Sequence, residues 1–233
     1  MPSASQGTSP RIRIGPTGWS YPDWEGIVYP RPHPRGFHPA AYLAEYFDTI
    51  EINTSFYQPL RAEVARVWVA RVERNPRFRF TAKLWKRFTH DRAGGREDAR
   101  AVKEGLAPLV KAGRFGALLM QFPWSFKQTK ENREYLGRLV VEFSDYPLVL
   151  EVRHSSWNER ELYQLLASLG VGFCNIDQPV IGRSIRPSDR STAPVGYVRL
   201  HGRNYEQWFA TDADHPEQRY NYLYSTEELK PWL

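Results

Sequence analysis

The chain has 233 residues, of which 41% are hydrophobic and 25% charged, and it carries a net charge of +6. That length suits one large α/β domain or two small ones, with enough chain for a sizeable core. No apolar stretch approaches the roughly 20 residues of a membrane span. A single cysteine, Cys174, excludes an internal disulfide, and no Cys-x-x-Cys is present to seed structural zinc or an iron–sulfur centre. A protein of the reducing cytoplasm, without a membrane partner, fits these features, and the basic balance leans weakly toward anionic partners.

Residues 1–10 are small and polar with no apolar signal region, which predicts a disordered leader. From there, strand-like apolar runs near 11–15, 49–56, 78–84, 115–122, 147–153, 171–177 and 196–201 alternate with helical patterns. The helices fall near 39–47, 61–74, 97–112, 130–142, 159–169 and 226–233. In the second, Val64, Val67, Trp68 and Val72 form the apolar stripe; the fifth stops at Gly170, a C-terminal capping glycine. The stretch from Asp177 to Pro194 has no helical pattern and predicts a long loop, a candidate lid. No linker divides residues 11–233, so they form one domain. Alternation of this kind predicts a parallel sheet covered by helices.

Two observations favour a closed barrel over an open doubly wound sheet. After the first strand, Gly15-Pro16-Thr17-Gly18-Trp19-Ser20 leads into an aromatic loop and not into a glycine-rich phosphate loop. And nearly every strand ends on polar or charged residues, whereas an open sheet concentrates them at one switch point. The expected fold is α/β, a TIM-type (β/α) barrel, whose strand ends form the active face.

The motifs Gly18-Trp19-Ser20-Tyr21-Pro22-Asp23-Trp24, Glu51-Ile52-Asn53-Thr54-Ser55-Phe56-Tyr57, Gln121-Phe122-Pro123, Glu151-Val152-Arg153-His154-Ser155-Ser156-Trp157 and Arg199-Leu200-His201-Gly202 occur in order along nearly the whole chain. Together they resemble the YecE-like family of uncharacterised barrel domains. The resemblance implies a TIM-type barrel and implies no activity. It also implies a last helix and an eighth strand beyond the position of Trp232, so for a chain ending at Leu233 the expectation is a barrel lacking both.

Ionisable groups at the ends of buried strands are costly and need a reason. Residues two apart in a strand share a face, so Glu51 goes with Asn53, Glu151 with Arg153, and Arg199 with His201. If these faces are internal, Lys83, Gln121 and Asp177 join them. Three acids (Glu51, Glu151, Asp177) then meet three bases (Lys83, Arg153, Arg199). That balance, with only His201 among them as an imidazole, argues against a metal site, and no cofactor is expected. Glu51, Glu151, Asp177 and His201 are the candidate catalytic groups for proton transfer. Lys83, Arg153, Arg199, Asn53 and Gln121 are candidate substrate contacts, because guanidinium forks and ammonium groups suit carboxylate or phosphate.

Loops after the strands carry Trp19, Trp24, Trp85, Trp124, Trp157 and Trp208, with Phe56, Tyr57 and Tyr205, interleaved with basic residues. Trp19, Tyr57 and Trp157 are the aromatic substrate contacts expected from this set. The reading is an enzyme doing metal-independent acid/base chemistry on a small anionic or sugar-like molecule. The alternative is a nucleic-acid-binding barrel related to repair endonucleases, since aromatics and cations on one rim also stack bases and track phosphates.

Overall fold

The structure is a computed structural model and describes residues 12–208 and 216–232. The expected leader lies outside the described residues. Six strands form one sheet in sequential order: β1 (Thr49–Ile52), β2 (Arg79–Lys83), β3 (Phe115–Gln121), β4 (Leu148–Glu151), β5 (Gly172–Asp177) and β6 (Tyr197–Leu200). Every neighbouring pair is parallel. Such an order requires each crossover to run over the same face, which curls the sheet around the opposite face. The curl brings β6 across the interior to β1 and β2: the Tyr197 hydroxyl lies 2.8 Å from Thr81 Oγ1 and donates to Glu51 Oε2 at 2.8 Å. The architecture is a six-stranded parallel half-barrel, which is coarser than the complete TIM-type set of strands.

The expected strand at 11–15 is not regular. The backbone of residues 14–18 runs along β1, with Asp48 N–H donating to Ile14 O, Glu51 N–H to Pro16 O and Gly18 N–H to Glu51 O, but the one bridge, at Thr17, lies beyond the expected range. Pro16 has no N–H to continue a ladder, and Ile12 and Ile14 are exposed. Gly15 permits the close approach, because a Cβ there would lie 1.7 Å from Thr49 O.

Among the described residues the chain has seven α-helices, of which the longer ones pack on the outer face of the sheet. The seven are α1 (Pro39–Leu43), α2 (Ala62–Arg71), α3 (Lys86–Thr89), α4 (Arg96–Lys111), α5 (Lys130–Glu142), α6 (Arg160–Leu169) and α7 (Thr226–Leu229). α3 was not expected from the pattern; it is one short turn that buries Phe88 and Thr89. In α2 the buried side is Ala65 with Trp68, Val69 and Val72, while Val67 points to solvent, so the expected stripe is rotated by part of a turn. α6 ends at Gly170 in the left-handed conformation (φ 65°), as its pattern indicates.

No helix lies between β5 and β6. The expected lid is instead tied down. Asn175, on the outer face of β5, donates to Arg190 O at 2.8 Å and accepts from Ser188 Oγ at 2.7 Å and Arg190 N at 2.9 Å. Ile185 N–H also donates to Arg153 O, and Ile185 is buried.

Strand alternation assigns the faces. Phe80 meets Trp68 of α2 and Phe173 meets Tyr163 of α6, so these point outward. Thr81, Lys83, Gln121, Glu151, Cys174, Tyr197 and Arg199 point inward and contact one another. α4 reaches the loop before α2 at Gly105, where a Cβ would stand 2.2 Å from Leu60 O. Gly105→Ala is therefore expected to cost about 1–3 kcal/mol by overpacking, read as a lower urea midpoint with an unchanged slope.

Candidate functional site

The inner side chains at the C-terminal strand ends form one charged layer. Arg199, on β6, joins both carboxylates. Its Nε and Nη2 donate to Glu51 Oε2 and Oε1 at 3.1 and 2.9 Å, and its Nη1 donates to Glu151 Oε2 at 2.6 Å. Glu151 ends β4 and is fully buried. Its Oε1 accepts from Gln121 Nε2 at 2.8 Å, as expected for residues paired in register on β3 and β4. The same oxygen accepts from Arg153 Nε and Nη2 at 3.0 and 2.8 Å. Lys83, the last residue of β2, places Nζ 3.5 Å from Glu51 Oε1.

Two further features define the mouth of this layer. Arg153 Nη1 donates to Gln178 Oε1 at 3.2 Å, and Phe56, in a helical turn after β1, lies 5.9 Å from Lys83 Nζ and edge-on to His90. Side-chain exposure rises outward, from 0% at Glu151, 6% at Glu51 and 8% at Arg199 to 13% at Lys83 and 20% at Arg153. The acids lie deep and two of the three cations lie at the opening.

Protonation states follow from these partners. Burial alone would raise the Glu151 pKa, but the Arg199 and Arg153 guanidiniums outweigh it and hold the carboxyl well below the usual range. Burial, with Arg153 and Arg199 alongside, pushes His201 down to about 3. Its Nε2 lies 3.3 Å from Arg153 Nη2 and 3.2 Å from Arg199 Nη1. Guanidinium N–H groups only donate, so Nε2 is the acceptor and the imidazole is neutral, with its proton on Nδ1. Burial lowers the Lys83 pKa; Glu51 opposes the shift and Arg199 adds to it.

Several expected members stand elsewhere. Asp177 belongs to the outer parity of β5, with Asn175, while Cys174 faces inward with Sγ 3.9 Å from Glu151 Oε2. The Asp177 carboxylate is gripped by Arg203 through Nε at 2.8 Å and Nη2 at 2.6 Å, and Arg203 also reaches Glu228 at 3.1 Å. Its expected place in the lumen is thus corrected: it pins the 225–229 segment to β5. Asn53 follows the end of β1 in helical backbone conformation, so the strand alternation no longer applies, and it donates to the Tyr21 hydroxyl at 3.2 Å.

Trp157 is fully buried, stacks on Phe126 and donates its indole N–H to Phe126 O at 2.6 Å, which leaves no surface for a substrate. Trp19 packs edge-on against Trp68 in the layer between sheet and α2. Tyr57 alone of the three expected aromatic contacts is exposed, at 67%. Phe56, a rim aromatic by sequence, and His90, Gln178, Tyr197 and Arg203 are not among the expected site residues. Of these, Tyr197 had a signal, because it precedes Arg199 by two and so shares its face.

Among the described residues no three His, Cys, Asp or Glu side chains are grouped to hold a metal ion, and no helix is long and apolar enough to cross a membrane. A hollow of about 550 Å³ lined by Ala44, Ala70, Arg71, Asn75 and Pro76 opens near the start of β2, away from the charged layer.

The fold and this layer define a parallel α/β half-barrel with a guanidinium–carboxylate site at its strand ends. The chain belongs to the family described as Protein of unknown function DUF72, whose sequence model matches residues 13–233. It is 31% identical over 238 residues to the UPF0759 protein YunF of Bacillus subtilis (strain 168), spanning 95% of this chain and 81% of that one. A DUF72 family protein of Thermotoga maritima MSB8 superposes with a TM-score of 0.77 at 32% identity, covering 94% of this chain and 84% of that chain. One from Enterococcus faecalis V583 gives 0.74 at 28% identity, covering 82% and 74%. The resemblance to YecE-like domains resolves at the level of this family of uncharacterised proteins.

The pKa shifts set a pH dependence. Glu151 and His201 both have folded pKa values below their ordinary 4.5 and 6.5. Each therefore contributes stability that is complete above its ordinary value and is lost as pH falls below it. Thermal stability is expected to drop as pH falls below about 6.5 and again below about 4.5. His201→Gln should flatten the upper part of that profile in a melting series. Glu151→Gln should cost about 3–5 kcal/mol near neutrality, because it leaves the buried Arg199 guanidinium and the half-buried Arg153 short of a carboxylate.

Proposed function

We propose that the charged layer binds a small anionic molecule and carries out metal-independent acid/base chemistry on it. The observation that supports this reading is the charge count once Asp177 is removed with Arg203. Two carboxylates, Glu51 and Glu151, face three cations, Arg199, Arg153 and Lys83, while His201 is neutral. A surplus positive charge in a desolvated site is costly unless an anion completes it. The two cations nearest the opening are Lys83 and Arg153, so an entering carboxylate or phosphate meets them first.

Roles within this reading follow from the hydrogen bonds. Glu151 has both oxygens occupied and is held ionised, so it acts as a counter-ion that fixes Arg199 and Arg153. His201 spends its lone pair between the same two guanidiniums and is a positioning residue. Lys83 is the group whose surroundings favour giving up a proton, and it works beside Glu51. Arg153 is the anion clamp: one Nη1 hydrogen bonds Gln178, and the other has no protein partner among the described residues. Of the rim, Phe56 beside Lys83, with Tyr57 packed against it, would cover a bound molecule, sugar-like or otherwise.

Calorimetric titration with phosphate, oxalate and pyruvate tests the reading. One or more should bind with a stoichiometry of one. Arg153→Gln should weaken that binding by about 10- to 100-fold, the loss of a charge-assisted hydrogen bond. Asp177→Asn, outside the layer, should leave it unchanged. Oligonucleotide binding that is insensitive to Arg153→Gln, with no small-anion binding, would replace this reading with the nucleic-acid one.

A further inference from the structure

We propose that Lys83 is a nucleophile that forms an imine with the carbonyl carbon of a small 2-oxo acid whose carboxylate is held by Arg153. This rests on the anion-binding reading above and names its substrate class. The starting point is unequal compensation among the three cations. Arg199 has a bidentate contact to Glu51 and a 2.6 Å contact to Glu151, and Arg153 has two donors on Glu151. Lys83 has only Glu51 Oε1 at 3.5 Å, an oxygen that already accepts from Arg199 Nη2 at 2.9 Å. Its ammonium is the least compensated charge of the layer, set beside a guanidinium and an aromatic ring, and its lowered pKa agrees with that placement.

A lysine that sheds its proton is a nucleophile, whereas a guanidinium is not. The other nucleophilic atoms of the interior are poorly suited. Burial drives the Cys174 thiol and the Tyr197 hydroxyl well above their usual pKa values, and the Tyr197 hydroxyl is held between Thr81 and Glu51. The surplus charge calls for an anion and the amine calls for an electrophilic carbonyl. A 2-oxo acid supplies both within one small molecule.

The step balances without an outside reagent. The Lys83 ammonium gives a proton to Glu51, the amine lone pair attacks the carbonyl carbon, and the oxygen takes up protons and leaves as water. The net change is R–NH3⁺ plus O=C giving R–NH⁺=C plus H2O. The iminium carries the same single positive charge as the ammonium, so once Glu51 has passed its proton to the departing oxygen the ion pairs around Glu51 and Arg199 are the same after the step as before it.

The test is reductive trapping on the full chain. Protein is incubated with pyruvate near neutral pH, treated with sodium borohydride, and examined by intact mass and peptide mapping. The expected result is one adduct, at Lys83, suppressed by excess oxalate, which has carboxylates and no ketone. Arg153→Gln should lower its yield at limiting pyruvate by about tenfold, and Asp177→Asn should leave it intact. Lys83→Met should abolish it, although mapping of the unsubstituted chain decides the matter even if that variant folds poorly. Adducts spread over surface lysines such as Lys86, Lys127 and Lys130, or none at Lys83, would overturn the proposal. If calorimetry shows anion binding without an adduct, the imine falls and the anion site stands. If neither is seen, both fall.

Discussion

The arrangement of the half-barrel depends on Arg199. β1 and β6 are the two ends of the sheet order and share no backbone ladder, so side chains must hold the curl across the interior. Arg199 does so by binding Glu51 on the first strand and Glu151 on the fourth from its place on the last. Tyr197, one step deeper, repeats the link through Glu51 and Thr81. An ion pair of this kind is a poor source of net stability, because desolvating three charges offsets most of the attraction. Its value lies in geometry. Three strands distant in sequence are fixed relative to one another at the level where the loops begin.

That geometry sorts the ionisable groups by depth. Glu51 and Glu151 are sunk beneath the cations; the guanidiniums suppress protonation of Glu151, and burial with the same guanidiniums suppresses that of His201. A layer whose carboxylate and imidazole are locked in one protonation state offers a constant field to whatever enters. Under the proposed function, chemistry that needs a proton to move falls to the group with the weakest counter-ion. In this layer that is Lys83, at the opening and not at the base.

Much of the architecture was legible because it depends on period and charge. Six of the seven expected strands, their parallel direction and the place of the polar ends follow from apolar runs that carry Glu51, Lys83, Gln121, Glu151 and Arg199 at or near their ends. What was not legible depends on a single residue of phase. Asp177 ends an apolar run just as Glu151 does, but it is three residues from inward-facing Cys174 and so lies on the other face. Asn53 is two residues from Glu51, yet the strand stops at Ile52 and the rule of two lapses with it. Trp19 and Trp157 sit in loops by sequence and in the core by structure, because a large ring after a strand can fold back over the layer beneath. Pro16 shows the same limit at the first edge, where an apolar run becomes a partner of β1 without becoming a regular strand.

The displacement of Asp177 changes more than a residue assignment. With it in the lumen, three acids and three bases cancel, and a self-satisfied structural network explains every group. With it paired to Arg203 on the outside, the lumen keeps a positive charge that no further buried carboxylate among the described residues answers. Replacing Lys83 by an apolar residue of similar length would remove that excess and its desolvation cost together. Packing gives no reason for an ammonium at this position, since its stem could be matched by methionine. On the anion-binding proposal, the charge is one half of a pair whose other half arrives from solution, through the side of the layer where exposure rises.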